Sequence, residues 1–326
     1  MTGIFKANNP SGNALLFVYA ILLKLPLFIH GQMPQLQPLD GIFYKLLLNA
    51  IAPIGKGFSS FYGVITFLLL FIQAISFNSI VNGQRLLKQH NYLTGMSYLL
   101  ITSIFSEWFT LSAPLIVNTI LIWIWGRLCT LYNNPNPKTS IFNIGLATGI
   151  AAFFYFPSVC FLLLIIIGIG IARPFRLQEW LLGLLGIITP IYFFASYLFI
   201  NNKWSTYKYP GFHFSLPHIS NSKWYIVAGI ILSLSVIMGL YFINANMRRQ
   251  VVQTRKSWQL LFLYIFVAAI VPLLNAGVNF TYFILLAVPL APVVAASFFY
   301  PQKKWLPFLL HWSFVGIYLA VQFFNK

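Results

Sequence analysis

Apolar residues in this chain form continuous runs separated by short polar segments, without strict alternation. Each run approaches the roughly 20 residues a helix needs to cross a hydrocarbon core about 30 Å thick. In such a core every backbone amide must be bonded within the chain, which leaves helices or a closed barrel. Barrel strands would show alternating segments of about ten residues, so continuous runs predict helices. The runs place spans at 14–30, 61–81, 93–106, 113–131, 141–155, 156–172, 180–200, 224–243, 258–274, 280–299 and 305–324. Spans three and five are short, and five and six meet around Phe156-Pro157, the join that sets the side of every later loop. The expected fold is all-α: one polytopic transmembrane helical bundle of about eleven spans over residues 1–326.

Composition agrees. The chain is 59% hydrophobic and 7% charged, too apolar for a soluble domain of this length. Lys6 precedes an apolar run, but no small-residue cleavage site follows Ile29, so the first span is expected to be retained. With the N-terminus inside, 13 Lys and Arg fall in inner segments and 6 in outer ones, with Lys24 alone inside a span; all seven Arg are inner. That asymmetry follows the positive-inside rule and favours eleven spans over ten. The expected location is the bacterial inner membrane, multi-pass. The net charge of +17 does not point to nucleic acid, because no basic run exceeds two residues. The charges suit topology and anionic lipid headgroups. Cys129 and Cys160 lack CxxC spacing and are expected to be free thiols. No P-loop or GxGxxG occurs.

Two outer loops are substantial, 31–60 and 201–223. The first begins irregular and rich in Pro and Gln, then reads as an interfacial helix over 41–52 ended by Pro53 and Gly55. The second carries Trp204, Tyr207, Tyr209, His213 and His218 among three Lys, and suits a headgroup-level flap or a partner surface.

Chemistry narrows to few residues, because the chain has only three acids. Asp40 and Glu107 fall in the first two outer loops, and Glu179 on the inner side. Asp40 stands just before the interfacial helix. It is either an N-cap or a general base for a hydroxyl on a substrate at the membrane surface. Glu107 is either an exposed turn residue beside Trp108 or a second acid that positions an acceptor or a divalent cation. Two carboxylates are too few for an all-protein cage, so any cation would borrow substrate phosphate oxygens. Glu179 is expected to pair with Arg173 or Arg176, or to serve as a first-turn helix acid. Lys24 either snorkels to the surface or meets a lipid phosphate. If the chain is an enzyme, Lys24, Lys45 or Lys208 is expected to contact the substrate phosphate. His213 and His218 could meet the same group or merely sit at the interface, and His30 could reach the cleft of Asp40. No carboxylate lies within a span to relay protons, which counts against a secondary transporter.

The layout resembles the membrane half of the polyprenyl-phosphate-sugar-dependent glycosyltransferases, the GT-C superfamily. The similarity rests on Asp40 followed by the surface helix, the basic turn Gln84-Arg85-Leu86-Leu87-Lys88, and the acidic turn at Glu107. It rests also on the apolar pair that opens at Lys138-Thr139-Ser140 and closes at Ala172-Arg173-Pro174-Phe175-Arg176, and on Tyr282 ahead of Pro289 and Pro292. The chain departs from that pattern in having Asp40 alone rather than paired acids and Asn279, Phe280 and Thr281 where a basic residue usually precedes the Tyr, and no C-terminal soluble domain is expected. It also resembles a family of small bacterial polytopic membrane proteins without an assigned activity.

The GT-C resemblance implies a lipid-linked sugar donor, Asp40 as base, Glu107 as second acid, Tyr282 at the donor end, and transfer with inversion at the outer face. Two alternatives stay open. One is a non-catalytic GT-C-like subunit of a cell-envelope complex that binds lipid and a membrane-protein partner; the other is a transporter.

Overall fold

A computed structural model describes residues 2–29, 33–57, 60–204, 223–274 and 280–324. Among them the regular structure is helical and no strand forms. The helices are α1 (Thr2–Lys6), α2 (Gly12–Ile29), α3 (Ile42–Gly57), α4 (Ser60–Gly83), α5 (Leu93–Ile104), α6 (Ala113–Thr130) and α7 (Lys138–Phe154). They continue as α8 (Leu162–Ala172), α9 (Leu177–Ile200), α10 (Lys223–Met247), α11 (Val252–Leu273), α12 (Ala287–Phe299) and α13 (Trp305–Phe324). Among the described residues, 8 helices are long and apolar enough to cross a membrane. The remaining apolar runs read from the sequence appear as shorter helices: α5, α7 and the segment Phe156–Ala172.

The join at 155–156 is a true break. Tyr155 is extended (φ −139°, ψ 108°), and a 3₁₀ segment, Phe156–Phe161, leads into α8. Pro157 cannot donate to a continuing helical ladder, which explains the break. Helix α3, expected at the membrane surface and to stop at Pro53, does not end there. It runs to Gly57, because a proline removes one amide bond without forbidding helical φ on either side.

Every residue of α5 is buried. Its 12 residues rise only about 18 Å at 1.5 Å each, against a core about 30 Å thick. The turn after α5 is therefore recessed among its neighbours. Polar side chains tie the surrounding helices together. Gln73 Nε2 donates to Leu115 O (2.7 Å) and accepts from the Tyr98 hydroxyl at its Oε1 (2.5 Å). Asn118 Nδ2 donates to Ile284 O (2.9 Å). Each bond is made where no water competes, and leaving one of these groups unpaired would cost several kcal/mol.

Loop contacts sort into two ends. At one end Lys6 Nζ reaches Phe299 O (2.7 Å), Thr254 reaches Gln84 O (3.2 Å) and Lys256 reaches Ala172 O (3.1 Å). Arg173 there donates to Leu131 O and Asn134 O, and binds Glu179 at 3.1 Å. The pairing expected for Glu179 is present, and this acid also stands in the first turn of α9. At the other end, segments around 37–44, 106–112, 155 and 280–282 meet.

Candidate functional site

Asp40 is placed by a tight turn. The Asp40 amide donates to Gln37 O (3.1 Å), and the Gln37 amide donates to Asp40 Oδ2 (2.8 Å). Pro38 supplies the fixed φ that the second position of such a turn favours. The carboxylate thus turns back on its own loop instead of capping α3. Asp40 also forms an isolated antiparallel bridge with Tyr155. In it the Gly41 amide donates to Phe154 O (2.8 Å) and the Phe156 amide to Leu39 O (3.4 Å). A Cβ at Gly41 would overlap the Phe153 carbonyl oxygen, so only glycine lets this backbone lie so close to α7.

Within the first turn of α3, Tyr44 donates its hydroxyl to Leu111 O (2.9 Å) and joins the first loop to the second. The second loop holds Glu107 in a 3₁₀ turn, Ser106–Phe109. Trp108 Nε1 donates to Phe280 O (3.2 Å), and the two rings stack with centroids 5.8 Å apart. Phe280 opens a 3₁₀ segment, Phe280–Leu286, ahead of α12. Pro289 has no amide to offer the carbonyl of Leu285, four residues before it, so a tightened start to this span is expected. Within the segment Tyr282 is 3% exposed and stacks on Tyr155 at 5.1 Å.

These segments enclose a cavity of about 480 Å³, a volume in the range of small-ligand sites. Met33, Gln35, Gln37, Asp40 and Tyr44 line one side; Glu107, Thr110, Leu111, Ser112 and Pro114 another; Thr281 and Tyr282 close it. Asp40 and Glu107 therefore face one space. Asp40 is 6% exposed. Burial pushes its carboxyl up to about 6, against the opposing pull of the Gln37 amide and the Lys45 charge. Burial also raises the Glu107 carboxyl, with the Phe280 amide opposing. Glu107 Oε2 and Ser112 Oγ are buried and without a hydrogen-bond partner among the described residues, so the cavity offers an acceptor and a hydroxyl to an incoming polar group.

The cations named from the sequence sit elsewhere. Lys24 is fully buried. Its Nζ donates to Thr102 O (2.7 Å) and lies 4.5 Å from the centre of the Phe109 ring. It neither snorkels nor lines the cavity. Lys45 is exposed on α3, close enough to act on Asp40 but not part of the lining. His30, Lys208 and His213 lie outside the described residues. Among the described residues no cluster of three or more His, Cys, Asp or Glu forms. Two carboxylates fall well short of the six or more oxygens a resident hard cation needs, so the chain's own contribution is an acid pair. Tyr44, Tyr155, Gln37 and Ser112 were not apparent from the sequence. No spacing or motif around Asp40 or Glu107 signals them, because they are brought in by loop geometry and by distant segments.

A family model described as a family of unknown function, DUF6427, matches residues 38–326, and the chain belongs to that family. No curated protein matches the chain, and no solved structure does.

Proposed function

We propose that this DUF6427 member is a membrane-embedded glycosyltransferase that moves a sugar from a polyprenyl phosphate donor to an acceptor hydroxyl at the outer face of the inner membrane. The observation that carries the reading is the convergence of Asp40 and Glu107, from separate loops, on one cavity. Eleven crossings with the N-terminus inside fit the two clusters of loops, because each helix joins one end to the other.

In this reading Asp40 removes the acceptor's hydroxyl proton as the acceptor oxygen attacks the anomeric carbon. The bond from that carbon to phosphate oxygen breaks, polyprenyl phosphate leaves with the electron pair, and configuration inverts. A carboxyl near 6 suits the base: it is mostly ionised at neutral pH yet more basic than an ordinary aspartate. Glu107 Oε2 holds a second acceptor or sugar hydroxyl, and Tyr282 walls the donor side. Lys45, Lys208 and His213 are the cations assigned to the donor phosphate.

The test uses membranes containing the full chain and a labelled polyprenyl-phosphate hexose, following label out of the lipid fraction. Asp40→Asn is expected to lower transfer by at least about 100-fold while the protein stays folded, and Glu107→Gln by less. Unchanged transfer in Asp40→Asn, or no chain-dependent transfer, would reject the reading.

A further inference from the structure

A second concavity lies on the opposite side of α3 from the acid cavity. It is a groove of about 510 Å³ between α3 and the end of α9. Ile42, Phe43 and Leu46 form one wall; Phe194, Tyr197 and Leu198 form the other. Phe153 of α7 ties the walls together, with its ring 5.0 Å from Phe43 and 5.1 Å from Phe194. Among the described residues, the single charged one in the lining is Lys203.

The position of Lys203 is built into the end of α9. Asn202 takes the left-handed conformation (φ 54°). The Asn202 amide donates to Phe199 O (3.1 Å) and the Lys203 amide to Leu198 O (2.9 Å). This double bond pattern is a Schellman cap, in which an asparagine can replace the usual glycine. It folds the chain back so that Lys203 stands beside Leu198, a groove wall. Lys45 is exposed on α3 and adds positive charge to the same end of the molecule. An apolar slot at the interfacial level, bordered by a lysine whose backbone is fixed, matches a lipid chain below an anionic headgroup.

We infer that the α3–α9 groove binds one anionic phospholipid of the outer leaflet, acyl chain against Leu46 and Tyr197 and phosphate at Lys203. This lipid is not the sugar donor. Gly41 lies against the Phe153 backbone with no room for a Cβ, so the contact of α3 with α7 walls the groove off from Asp40. The bound lipid would instead hold α3, and with it the turn that carries the carboxylate. The inference stands whether or not the cavity transfers sugar.

Native mass spectrometry of the full chain in detergent tests it. Phosphatidylglycerol, phosphatidylcholine with the same acyl chains, and undecaprenyl phosphate are added separately and in competition. One phosphatidylglycerol is expected to be retained in preference to phosphatidylcholine. Lys203→Gln should reduce that preference roughly fivefold, the effect of about one basic residue at a membrane surface. Leu46→Trp should reduce retention of both phospholipids, and Lys304→Gln at the other end should change nothing. Equal retention of the two phospholipids by the wild type would overturn the site, as would unaltered preference in Lys203→Gln or unaltered retention in Leu46→Trp. Lys203-dependent undecaprenyl phosphate that displaces phosphatidylglycerol would overturn it too, by making the groove a donor site.

Discussion

At Asp40 two opposing effects leave a measurable residue. Desolvation favours the neutral acid, while the Gln37 amide and Lys45 favour the anion, and desolvation wins. Because the folded carboxyl titrates near 6 and an unfolded one near 4, the folded state holds the proton more tightly. Its stabilising contribution is complete below about pH 4 and is lost as pH rises through about 6. At pH 8 the ionised group destabilises the protein by about 2–3 kcal/mol. Asp40→Asn should therefore melt higher than wild type at pH 8, with the gap closing toward pH 4 in differential scanning fluorimetry. A variant that melts lower at pH 8 would contradict the burial argument. The rarity of this acid was plain from the sequence, but the Gln37 turn that aims it was not, since the same spacing also fits a helix cap. Lys24 teaches the converse. Whether a long cation in a span snorkels or stays buried depends on Thr102 and Phe109, far along the chain, and nothing local to Lys24 announces them.

Among the elements, α7 and α9 approach each other closely at paired glycines. A Cβ on Gly145 would overlap the Gly183 carbonyl oxygen, and one on Gly186 the Phe142 carbonyl oxygen. Small residues let two helices approach where lipid offers no hydrophobic drive for association. Gly145→Ala should accordingly destabilise by about 1–3 kcal/mol through overpacking. Gly229→Ala on α10, where a Cβ meets nothing within 4 Å, should be neutral or add about 0.5–1 kcal/mol by relieving the glycine entropy cost. The two melting temperatures, measured in the same detergent, separate close packing from general glycine effects. Helix positions were legible because long apolar runs have few competing readings. The 3₁₀ opening at Phe280 was not, because its apolar letters fit an α-helix equally well and only the downstream prolines distinguish them. The extension of α3 past Pro53 was missed for the mirror-image reason: the proline was read as a stop when the chain tolerates it.

For the whole molecule, the two clusters of loops give a topology that can be tested. In a background with Cys160→Ser, Leu36→Cys should react with a membrane-impermeant maleimide in intact cells, and Lys303→Cys only after the cells are opened. Labelling of Lys303→Cys in intact cells would reverse or break the proposed orientation. Charge asymmetry is the argument for this orientation, with 13 basic residues on the proposed inner side and 6 on the outer. The meeting of Asp40, Glu107 and Tyr282 could only be narrowed to a face, because lateral order among helices leaves no trace in hydropathy. That meeting also has a consequence in time. Tyr282 is synthesised 242 residues after Asp40 (282 minus 40), which at about 5–20 residues per second is on the order of 12–50 s. In the proposed orientation the first loop waits, already across the membrane, for the last wall of its cavity. A nascent chain would hold its two acids in the open until synthesis is nearly complete, and only then acquire the surroundings that set their basicity.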